Sequence, residues 1–370
     1  GKELNPKEVV LDLRRGLLGN KSDDDIVGKS VSPEVLWQCT TCGACEDICP
    51  VGIEHLPLII GMRRGQVAAG DISEKAATVL NALERGNNPW QMSVDPDAIK
   101  QLHIPPFEKD MAETGVLLWT GCAGMADERY RRVIAATVKL LNTAGVRFGT
   151  VDAPHNCGGD LTRRLGNEMV FQQLAAGNIE LLKSAGAKTI VTACPHCLQT
   201  LRNDYHRLGA EFTVLHHSEI LRAMLAEGKL EIAEQSGEKK VTYHDPCYLG
   251  RYNGVYDRPR EIIKACGADL AELPRSRDNS FCCGAGGGQM FLAEGKGQAI
   301  NVERAKEIAG VAAETVITGC PFCLTMLKDG LNSLGNEIPV KDIAEFLVEN
   351  LNQPKPKPNG GQTCPAIRVL

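Results

Sequence analysis

The chain lacks several features that would place it at once in a common functional class. It has no apolar run near the roughly eighteen residues that a membrane-spanning helix needs, and no charged-then-apolar segment at its start. Basic residues are not in excess, because the net charge is −5 and the sequence pI is about 6.0. These absences give no support to a membrane span, to secretion into an oxidising compartment or to a nucleic-acid partner.

What the chain has in abundance is cysteine, with 15 among 370 residues. This is high for a cytosolic enzyme but well below the content of a disulfide-dense scaffold. Hydrophobic residues make up 43% and charged residues 24%, as in an ordinary globular protein with room for about two or three domains. In a reducing cytoplasm, clustered cysteines are more often metal ligands than disulfides, so we expect metal sites.

The first cysteine cluster is a run of four with the spacing Cys39-x-x-Cys42-x-x-Cys45-x-x-x-Cys49, followed by proline. This spacing is typical of bacterial ferredoxins, in which the first three cysteines bind one cubane iron–sulfur cluster and the fourth reaches another. A structural zinc site is the alternative, but zinc usually takes two separated cysteine pairs. The run therefore predicts a [4Fe–4S] cubane, with Cys49 directed to a different cluster.

A second cysteine pattern occurs twice, about one domain length apart. Three cysteines of the first copy recur 126 positions later, and the remaining one recurs 125 positions later. The copies contain Cys122, Cys157, Cys194 and Cys197 in the first, and Cys247, Cys282, Cys283, Cys320 and Cys323 in the second. A spacing kept over this length indicates a duplication in which each repeat carries one thiolate-lined site.

The second repeat offers five cysteines, which is more than a tetrahedral zinc or one ordinary cubane needs. Adjacent cysteines are awkward ligands for a single metal, so the pattern suggests an unusual cluster. Glycines after the pair, Gly284, Gly286 and Gly287, are expected to let the backbone pass close to that cluster and donate N–H groups to it. Because Gln289 stands where the last glycine of a dinucleotide fingerprint would be, nucleotide binding is not indicated.

The first repeat departs from this pattern, because Asn156 replaces the first cysteine of the adjacent pair. Its four remaining cysteines are enough for a further cluster, although a decayed copy kept as a scaffold is the alternative. Two histidines close to cluster cysteines, His244 and His155, are weak candidates for proton donors, and each is more often a partner of a backbone carbonyl.

Short apolar runs that end at cysteines alternate with amphipathic segments after residue 115. Runs such as residues 116–119 and 315–319 predict strands, and residues 127–144 and 167–185 predict helices. The alternation predicts an α/β protein with βαβ-type parallel sheets, one per repeat. We expect a helical ferredoxin-type domain over 1–105, a degenerate first repeat over 106–235, a second repeat over 236–350 and a flexible tail over 351–370. Cysteines at the carboxyl ends of strands lie where α/β sheets place ligands, with a helix starting just after.

The second repeat resembles the cysteine-rich CCG domain of the catalytic subunits of heterodisulfide reductase. The resemblance covers both repeats, and the ferredoxin run extends it to nearly the whole chain. Four stretches are closer still to the iron–sulfur proteins that accompany electron-transfer flavoprotein in bacteria: Cys39-Thr-Thr-Cys42, Tyr243-His-Asp-Pro-Cys247, Tyr256-Asp-Arg-Pro-Arg260 and Phe281-Cys-Cys-Gly284. That group also has a degenerate first repeat, matched here by Cys157-Gly-Gly-Asp160.

The resemblance implies an oxidoreductase subunit that relays electrons between a flavoprotein and a quinone or other acceptor. Its cofactors would be the cubane and a non-cubane [4Fe–4S] cluster held by the five cysteines of the second repeat. The group usually has a second ferredoxin run and often a membrane haem segment, so we expect further sequence upstream of Gly1. The resemblance therefore implies a cytoplasmic protein that can lie on the inner face of the cell membrane, beside a membrane subunit.

Three other functions stay open at this point. The chain can be the catalytic subunit of a thiol–disulfide (heterodisulfide) reductase, or it can supply electrons within a large soluble reductase complex. From a different class, it can be a zinc-stabilised interaction module with no redox role. Colour separates the last of these from the rest, since a zinc protein is colourless and an iron–sulfur protein is brown.

Overall fold

Two four-stranded parallel sheets organise the chain after residue 115. The computed structural model describes residues 2–19, 26–85, 88–92, 95, 97, 100–151, 157–233, 239–292 and 297–352. The predictions made for His155, Asn156 and the tail from residue 353 onward lie outside the described residues.

The helical part before the sheets begins with capped helices. Asn5 caps the first helix through its side chain, and Ser73 caps the fifth by accepting the N–H of Ala76, as short polar residues do at helix starts. The helices are α1 (Pro6–Leu18), α2 (Pro33–Trp37), α3 (Ala44–Asp47), α4 (His55–Ala69) and α5 (Glu74–Glu84). An irregular turn (Ile26–Ser30), whose backbone is non-helical at Val27 and Gly28, and a 3₁₀ turn (Lys109–Met111) complete this part.

The first sheet is fully parallel and buried on both faces. Its strand order is β2-β1-β3-β4, and every residue of β1 is buried. The strands are β1 (Val116–Trp119), β2 (Phe148–Gly149), β3 (Thr189–Thr192) and β4 (Thr213–His216). The helices of this repeat are α6 (Gly121–Ala126), α7 (Glu128–Thr143), α8 (Asp160–Leu165), α9 (Glu168–Ser184), α10 (Pro195–Gln199) and α11 (His217–Ala226). Continuous apolar runs are what a parallel sheet covered on both faces requires.

The second sheet repeats the first, with the order β6-β5-β7-β8. Its strands are β5 (Lys240–Tyr243), β6 (Asp269–Leu270), β7 (Thr315–Thr318) and β8 (Val340–Asp342). Its helices are α12 (Asp257–Ala265), α13 (Gln289–Leu292), α14 (Ile300–Ala309), α15 (Pro321–Ser333) and α16 (Ile343–Glu349). Short π and 3₁₀ segments lie at Thr200–Asp204, His206–Leu208 and Arg277–Asn279. The predicted α/β class with two repeated parallel sheets is confirmed.

The two repeats share a hydrophobic core, while the other face of the first sheet, with Leu117 and Ile190, packs into a second buried cluster. Leu118 and Val133 of the first repeat belong to the same buried cluster as Val241 and Ile317 of the second. The repeats are also joined by a buried hydrogen bond of 2.8 Å between His217 Nε2 and an Asp342 carboxylate oxygen. Burial of these polar groups is tolerated because they are paired with each other.

Residues 105–107 pair with the chain just after β2, where the N–H of Phe107 donates to the Thr150 carbonyl and the N–H of Thr150 donates to the Pro105 carbonyl. One local prediction differs from the structure. The helix expected directly after Cys247 does not form, and turns follow instead.

The strand order places the cysteines at one edge of each sheet. In an open parallel sheet, ligands bind beyond the carboxyl ends of the strands where the order of connection reverses. That point lies between β1 and β3 in the first sheet and between β5 and β7 in the second. Cys122 and Cys194 follow the first pair of strands, and Cys247 and Cys320 follow the second pair. Among the described residues, no helix is both long and apolar enough to cross a membrane.

Candidate metal centres

The loop after α2 presents the first three cysteines of the ferredoxin-type run. Cys39 and Cys42 lie on irregular backbone, and Cys45 lies in the first turn of α3. The chain reverses through left-handed residues, with φ of 49° at Thr41 and 76° at Gly43. The N–H of Thr41 donates to Cys39 Sγ over 3.3 Å, and such bonds to sulfur tune iron–sulfur sites.

The same three thiols line one cavity of about 460 Å³, whose wall includes Cys282 of the second repeat and apolar side chains such as Leu56. Burial raises the pKa of Cys39, and contact with Cys282 followed by burial raises the pKa of Cys42 well above its usual range. Burial raises the pKa of Cys45 to about 12. The free thiols therefore stay protonated at neutral pH, and a metal bound there must displace their protons.

Cys49, the fourth cysteine of the run, is separate from the other three. It does not line their cavity, and its sulfur accepts the N–H of Ile53 over 3.3 Å. Backbone N–H groups of Ile53 and Val51 lower the pKa of Cys49. Its neighbours Ile48 and Val51 are 77% and 76% exposed, so this side of the run faces outward. The structure thus separates Cys49 from the other three cysteines, and the ligand roles of all four stay a prediction.

The second repeat brings all five of its cysteines into one connected group. Cys247 contacts Cys282, and Cys282 contacts Cys283. Cys283 and Cys323 have their sulfur atoms 3.3 Å apart, and Cys323 in turn contacts Cys320. Cys247 and Cys320 follow strand ends, Cys282 and Cys283 begin the glycine-rich loop, and Cys323 lies in the first turn of α15. Five adjacent soft donors suit iron in a cluster better than a single hard cation.

His244 lies beside this group in a fixed protonation state. One of its ring nitrogens and the sulfurs of Cys283 and Cys323 all lie within 4.8 Å of one another. Its Nδ1 accepts the N–H of Arg304 over 3.1 Å, so the ring proton is on Nε2. Burial and the Arg304 charge lower the pKa of His244 well below its usual range. The side chain is therefore a neutral N–H donor rather than a charged acid at neutral pH.

The glycine-rich loop packs against the ferredoxin-type run. A Cβ at Gly286 would overlap the carbonyl oxygen of Thr40, and one at Gly287 would overlap that of Cys39. The N–H of Gly284 donates to Cys282 Sγ over 3.2 Å. The glycines are thus needed where the second repeat and the N-terminal part touch, a close approach that only a residue without a side chain permits.

This packing places the two cysteine sets against each other. Cys282 of the second repeat contacts Cys42 of the run, and its sulfur lies 3.5 Å from Thr40 Oγ1. The phenol oxygens of Tyr248 and Tyr252 lie 2.8 Å and 2.7 Å from the side-chain and main-chain oxygens of Thr41. The two candidate centres are therefore neighbours whose cysteine side chains contact each other directly.

The four cysteines of the first repeat also come together, in a tighter space. Cys122 contacts Cys157, and Cys194 contacts Cys197. These contacts, together with burial, raise the pKa values of Cys122 and Cys197 well above their usual range. The cavity among the four has a volume of about 30 Å³. Four thiolates are the number that one tetrahedral ion or a four-cysteine cluster uses.

A buried contact between the repeats was not anticipated from the sequence. His196 Nδ1 lies 2.7 Å from a carboxylate oxygen of Asp160, and the same side chain contacts Cys320 of the second repeat. Burial alone would lower the pKa of His196, but Asp160 and Cys320 raise it well above its usual range. Burial would raise the pKa of Cys320, but Cys323 and His196 lower it to about 5. The only sequence signal was the histidine inside Cys194-Pro-His-Cys197, which gives no hint of a contact with the other repeat.

A second unanticipated pair holds the turn that carries Cys247. Arg260 donates to both carboxylate oxygens of Asp245, at 2.7 Å and 2.8 Å. Asp245 also accepts the N–H of Arg277 over 2.8 Å, and its carbonyl accepts the hydroxyl of Ser280 over 2.9 Å. These bonds tie the loops before Cys247 and before Cys282 to one carboxylate. Asp245 and Arg260 belong to stretches that carried the family resemblance, although the sequence did not indicate their structural role.

Comparison with known proteins agrees with this architecture. The cysteine-rich CCG domain model matches residues 116–202 and 241–328. The chain is 39% identical over 345 residues to the EtfAB:quinone oxidoreductase of Syntrophomonas wolfei, covering 89% of this chain and 48% of that protein. It is 40% identical over 338 residues to the probable iron-sulfur-binding oxidoreductase FadF of Bacillus subtilis, covering 88% of this chain and 48% of that protein.

A further relative is matched over most of its own length. The chain is 33% identical over 321 residues to a subunit of the dihydromethanophenazine:CoB–CoM heterodisulfide reductase of Methanosarcina mazei, covering 85% of this chain and 77% of that polypeptide. By contrast, the chain spans about half the length of the Syntrophomonas and Bacillus relatives. The chain belongs to the family of CCG-domain iron–sulfur oxidoreductases that includes this heterodisulfide reductase subunit.

Proposed function

We propose that this chain is an electron-transfer subunit that relays electrons between a flavoprotein and a quinone. The centres would be a cubane at Cys39, Cys42 and Cys45 and a non-cubane cluster at the five cysteines of the second repeat. The contact between Cys42 and Cys282 carries this proposal, because it makes the two thiolate sets neighbours. The relative named EtfAB:quinone oxidoreductase supports the choice of donor and acceptor.

The chain's own residues would hold and tune these centres. Each cluster, when bound, stores and passes single electrons. Cys39 and Cys282 sulfurs accept backbone N–H groups, which lower the electron density that a thiolate gives to its metal. His196, which contacts Cys320, stacks on Tyr248 with ring centroids 3.9 Å apart, so two aromatic rings pack beside the second-repeat site. The glycine-rich loop keeps the two sites close.

Partners and location follow from the same proposal. A quinone is a lipid-soluble acceptor, so a protein that reduces it must reach a membrane surface. We therefore place the chain at the inner face of the membrane, within a complex with a flavoprotein and a membrane subunit. The four cysteines of the first repeat are candidates for a further centre, and iron analysis decides whether they hold one.

The test is transfer through the anaerobically reconstituted protein. A reduced flavoprotein of the electron-transfer class is mixed with the chain, and bleaching of the cluster absorbance is followed in time. Addition of a short-chain quinone should restore the absorbance. Bleaching without any reoxidation by quinone would remove the quinone part of the proposal, and no bleaching would remove the flavoprotein part.

A second candidate function is disulfide reduction. The heterodisulfide reductase relative favours it, as does the Cys320 thiol, whose pKa of about 5 makes it anionic at neutral pH. The dithionite-reduced protein is incubated with a thiol–thiol heterodisulfide, and released thiols are counted. Thiol release at a rate above that of quinone reduction would replace the quinone proposal with this one.

A further inference from the structure

A single arginine is buried where the three parts of the molecule meet. Arg63 of α4 has no measurable exposure. Its guanidinium donates to the carbonyls of Leu36 at 3.0 Å and Cys39 at 2.7 Å in the N-terminal part. It also donates to the carbonyls of Arg164 in the first repeat at 3.0 Å and Gly287 in the second at 3.1 Å. One side chain thus contacts the cluster-binding loop, the glycine-rich loop and the first repeat.

Arg63 differs from other buried arginines because no carboxylate balances its charge. Arg304 is equally buried and pairs with Glu307 at 2.5 Å, and Arg164 pairs with Asp160 at 3.1 Å. Among the residues that the structure describes, Arg63 forms no ion pair, and its Nε has no hydrogen-bond partner. The carbonyl dipoles and the Trp37 ring, whose centroid lies 4.8 Å from the guanidinium carbon, offset only part of the free energy needed to bury a full charge. An unbalanced guanidinium is therefore costly without an anion nearby.

Cys39 links this charge to the candidate cluster site. Its carbonyl accepts an N–H of Arg63 over 2.7 Å, and it lines the same cavity as Cys42 and Cys45. A cluster that takes Cys39 as a thiolate would bring negative charge to this position. Such a cluster would supply the anion that Arg63 lacks among the described residues.

We propose that Arg63 is the internal counter-charge of the cluster held by Cys39, Cys42 and Cys45, and that it raises the reduction potential of that cluster. This inference rests on the proposed function, because it needs a redox-active cluster at those cysteines. Reduction adds one electron to the cluster, with no bond made or broken by the protein and no proton taken up. The reduced cluster is one unit more negative, so a fixed cation stabilises it more than the oxidised one.

The location makes this effect larger than a surface charge would produce. Charge–charge attraction is stronger in an interior from which water is excluded, and salt screens it little there. The guanidinium is held by four carbonyls from three segments, so its position does not depend on the redox state of the site. Arg63 would therefore act on the cluster through the electrostatic field of its charge, without being a ligand.

The experiment is a redox titration of the reconstituted chain, monitored by EPR. Variants Arg63→Gln, Arg63→Met and Arg63→Lys are compared with wild type, and Arg64→Gln is the matched control. Arg64 is adjacent, its side chain is 42% exposed, and it pairs with Glu168 at the surface. We expect the neutral variants to lower the equilibrium constant for reduction at least tenfold, which is about 59 mV for one electron. Arg63→Lys and Arg64→Gln should stay near the wild-type potential.

The outcomes separate the two proposals. No cluster signal in wild type would overturn the proposed function, whatever the variants do. A wild-type signal with unchanged potentials in both neutral variants would overturn the role of Arg63 alone. If the neutral variants fold but bind no iron while Arg63→Lys binds it, the counter-charge is supported. A potential or an iron content in Arg63→Lys as low as in the neutral variants would show that hydrogen bonding rather than charge is responsible, and would overturn the inference.

Discussion

Asp245 and Arg260 show how side chains that bind no metal can still determine a metal site. Their two parallel hydrogen bonds are almost completely buried, with side-chain exposures of 2% and 8%. The planar guanidinium matches both carboxylate oxygens, and the carboxylate in turn anchors the backbone that leads to the cysteine pair. Arg260 also pairs with Glu272 at 2.5 Å, but that carboxylate is 38% exposed, so loss of Asp245 removes the buried partner of the guanidinium.

Asp245→Asn should therefore lower the free energy of unfolding by about 1–3 kcal/mol. The measurement is urea unfolding of the metal-free chain under anaerobic conditions. Arg258→Gln on the same helix as Arg260 is the control, because that side chain is 44% exposed and pairs with Glu261 at 3.3 Å. Its effect should stay within about 0.5 kcal/mol. Equal effects of the two substitutions would contradict the role given to Asp245.

Thirteen cysteines are candidate ligands, whereas Cys266 belongs to none of the three sets. Cys282 contacts both Cys247 and Cys42, whereas Cys266 is fully buried in the hydrophobic core. Cys282→Ser should remove the unusual cluster signal from the EPR spectrum and about four iron atoms per chain. Cys266→Ser should keep both the signal and the iron. A full iron content in Cys282→Ser would refute the five-cysteine assignment.

The cysteine sets could be predicted because their spacing in the sequence identifies them. The residues that contact those cysteines could not be predicted in the same way. His196 acts on Cys320 only because the two sheets are packed with their carboxyl edges facing, and that packing leaves no signal in a local motif. The neutral state of His244 depends on its burial and on Arg304, which lies 60 positions away in the sequence. Ligand assignments for all three cysteine sets stay predictions until a metal is measured.

The strands and long helices were predictable because each repeats a simple pattern. Short apolar runs bounded by threonine and glycine became β1, β3, β5 and β7, and the amphipathic stretches became α7 and α9. The missing helix after Cys247 reflects tertiary packing, since the backbone of Gly250 is covered by the ring of Tyr256. The domain limits at residues 105, 235 and 350 stay predictions, because the two repeats share a core.

The glycine-rich loop is the element on which contact between the two proposed centres depends. Gly286→Ala would drive a methyl group into the Thr40 carbonyl and separate the loop from the ferredoxin-type run. We expect a loss of about 1–3 kcal/mol in unfolding free energy and slower electron transfer between the clusters, followed by freeze-quench EPR.

Gly177→Ala is the control for this substitution. Gly177 lies inside α9, and nothing lies within 4 Å of an added Cβ. Alanine there should stabilise the chain by about 0.5–1 kcal/mol and leave electron transfer unchanged. If Gly286→Ala behaved like Gly177→Ala, the loop would not be what holds the two centres together.

The molecule as a whole consists of two similar α/β repeats that share a core, and a helical part that caps one edge of both. The repeats place their cysteines at the strand ends, and the helical part adds three more beside them. Arg63 lies where all three meet, so metal binding, packing and charge balance converge on one region. Electron transfer is the chemistry that such adjacent thiolate sets support best.

The central claim is that this region holds two iron–sulfur clusters. The most direct test is iron and acid-labile sulfide per chain, combined with EPR of the anaerobically prepared, oxidised and reduced protein. We predict about eight iron atoms, four for each cluster, with one cubane signal and one unusual signal in the oxidised state. About twelve would add a third cluster in the first repeat. Zinc with little iron, even after anaerobic reconstitution, would contradict the account.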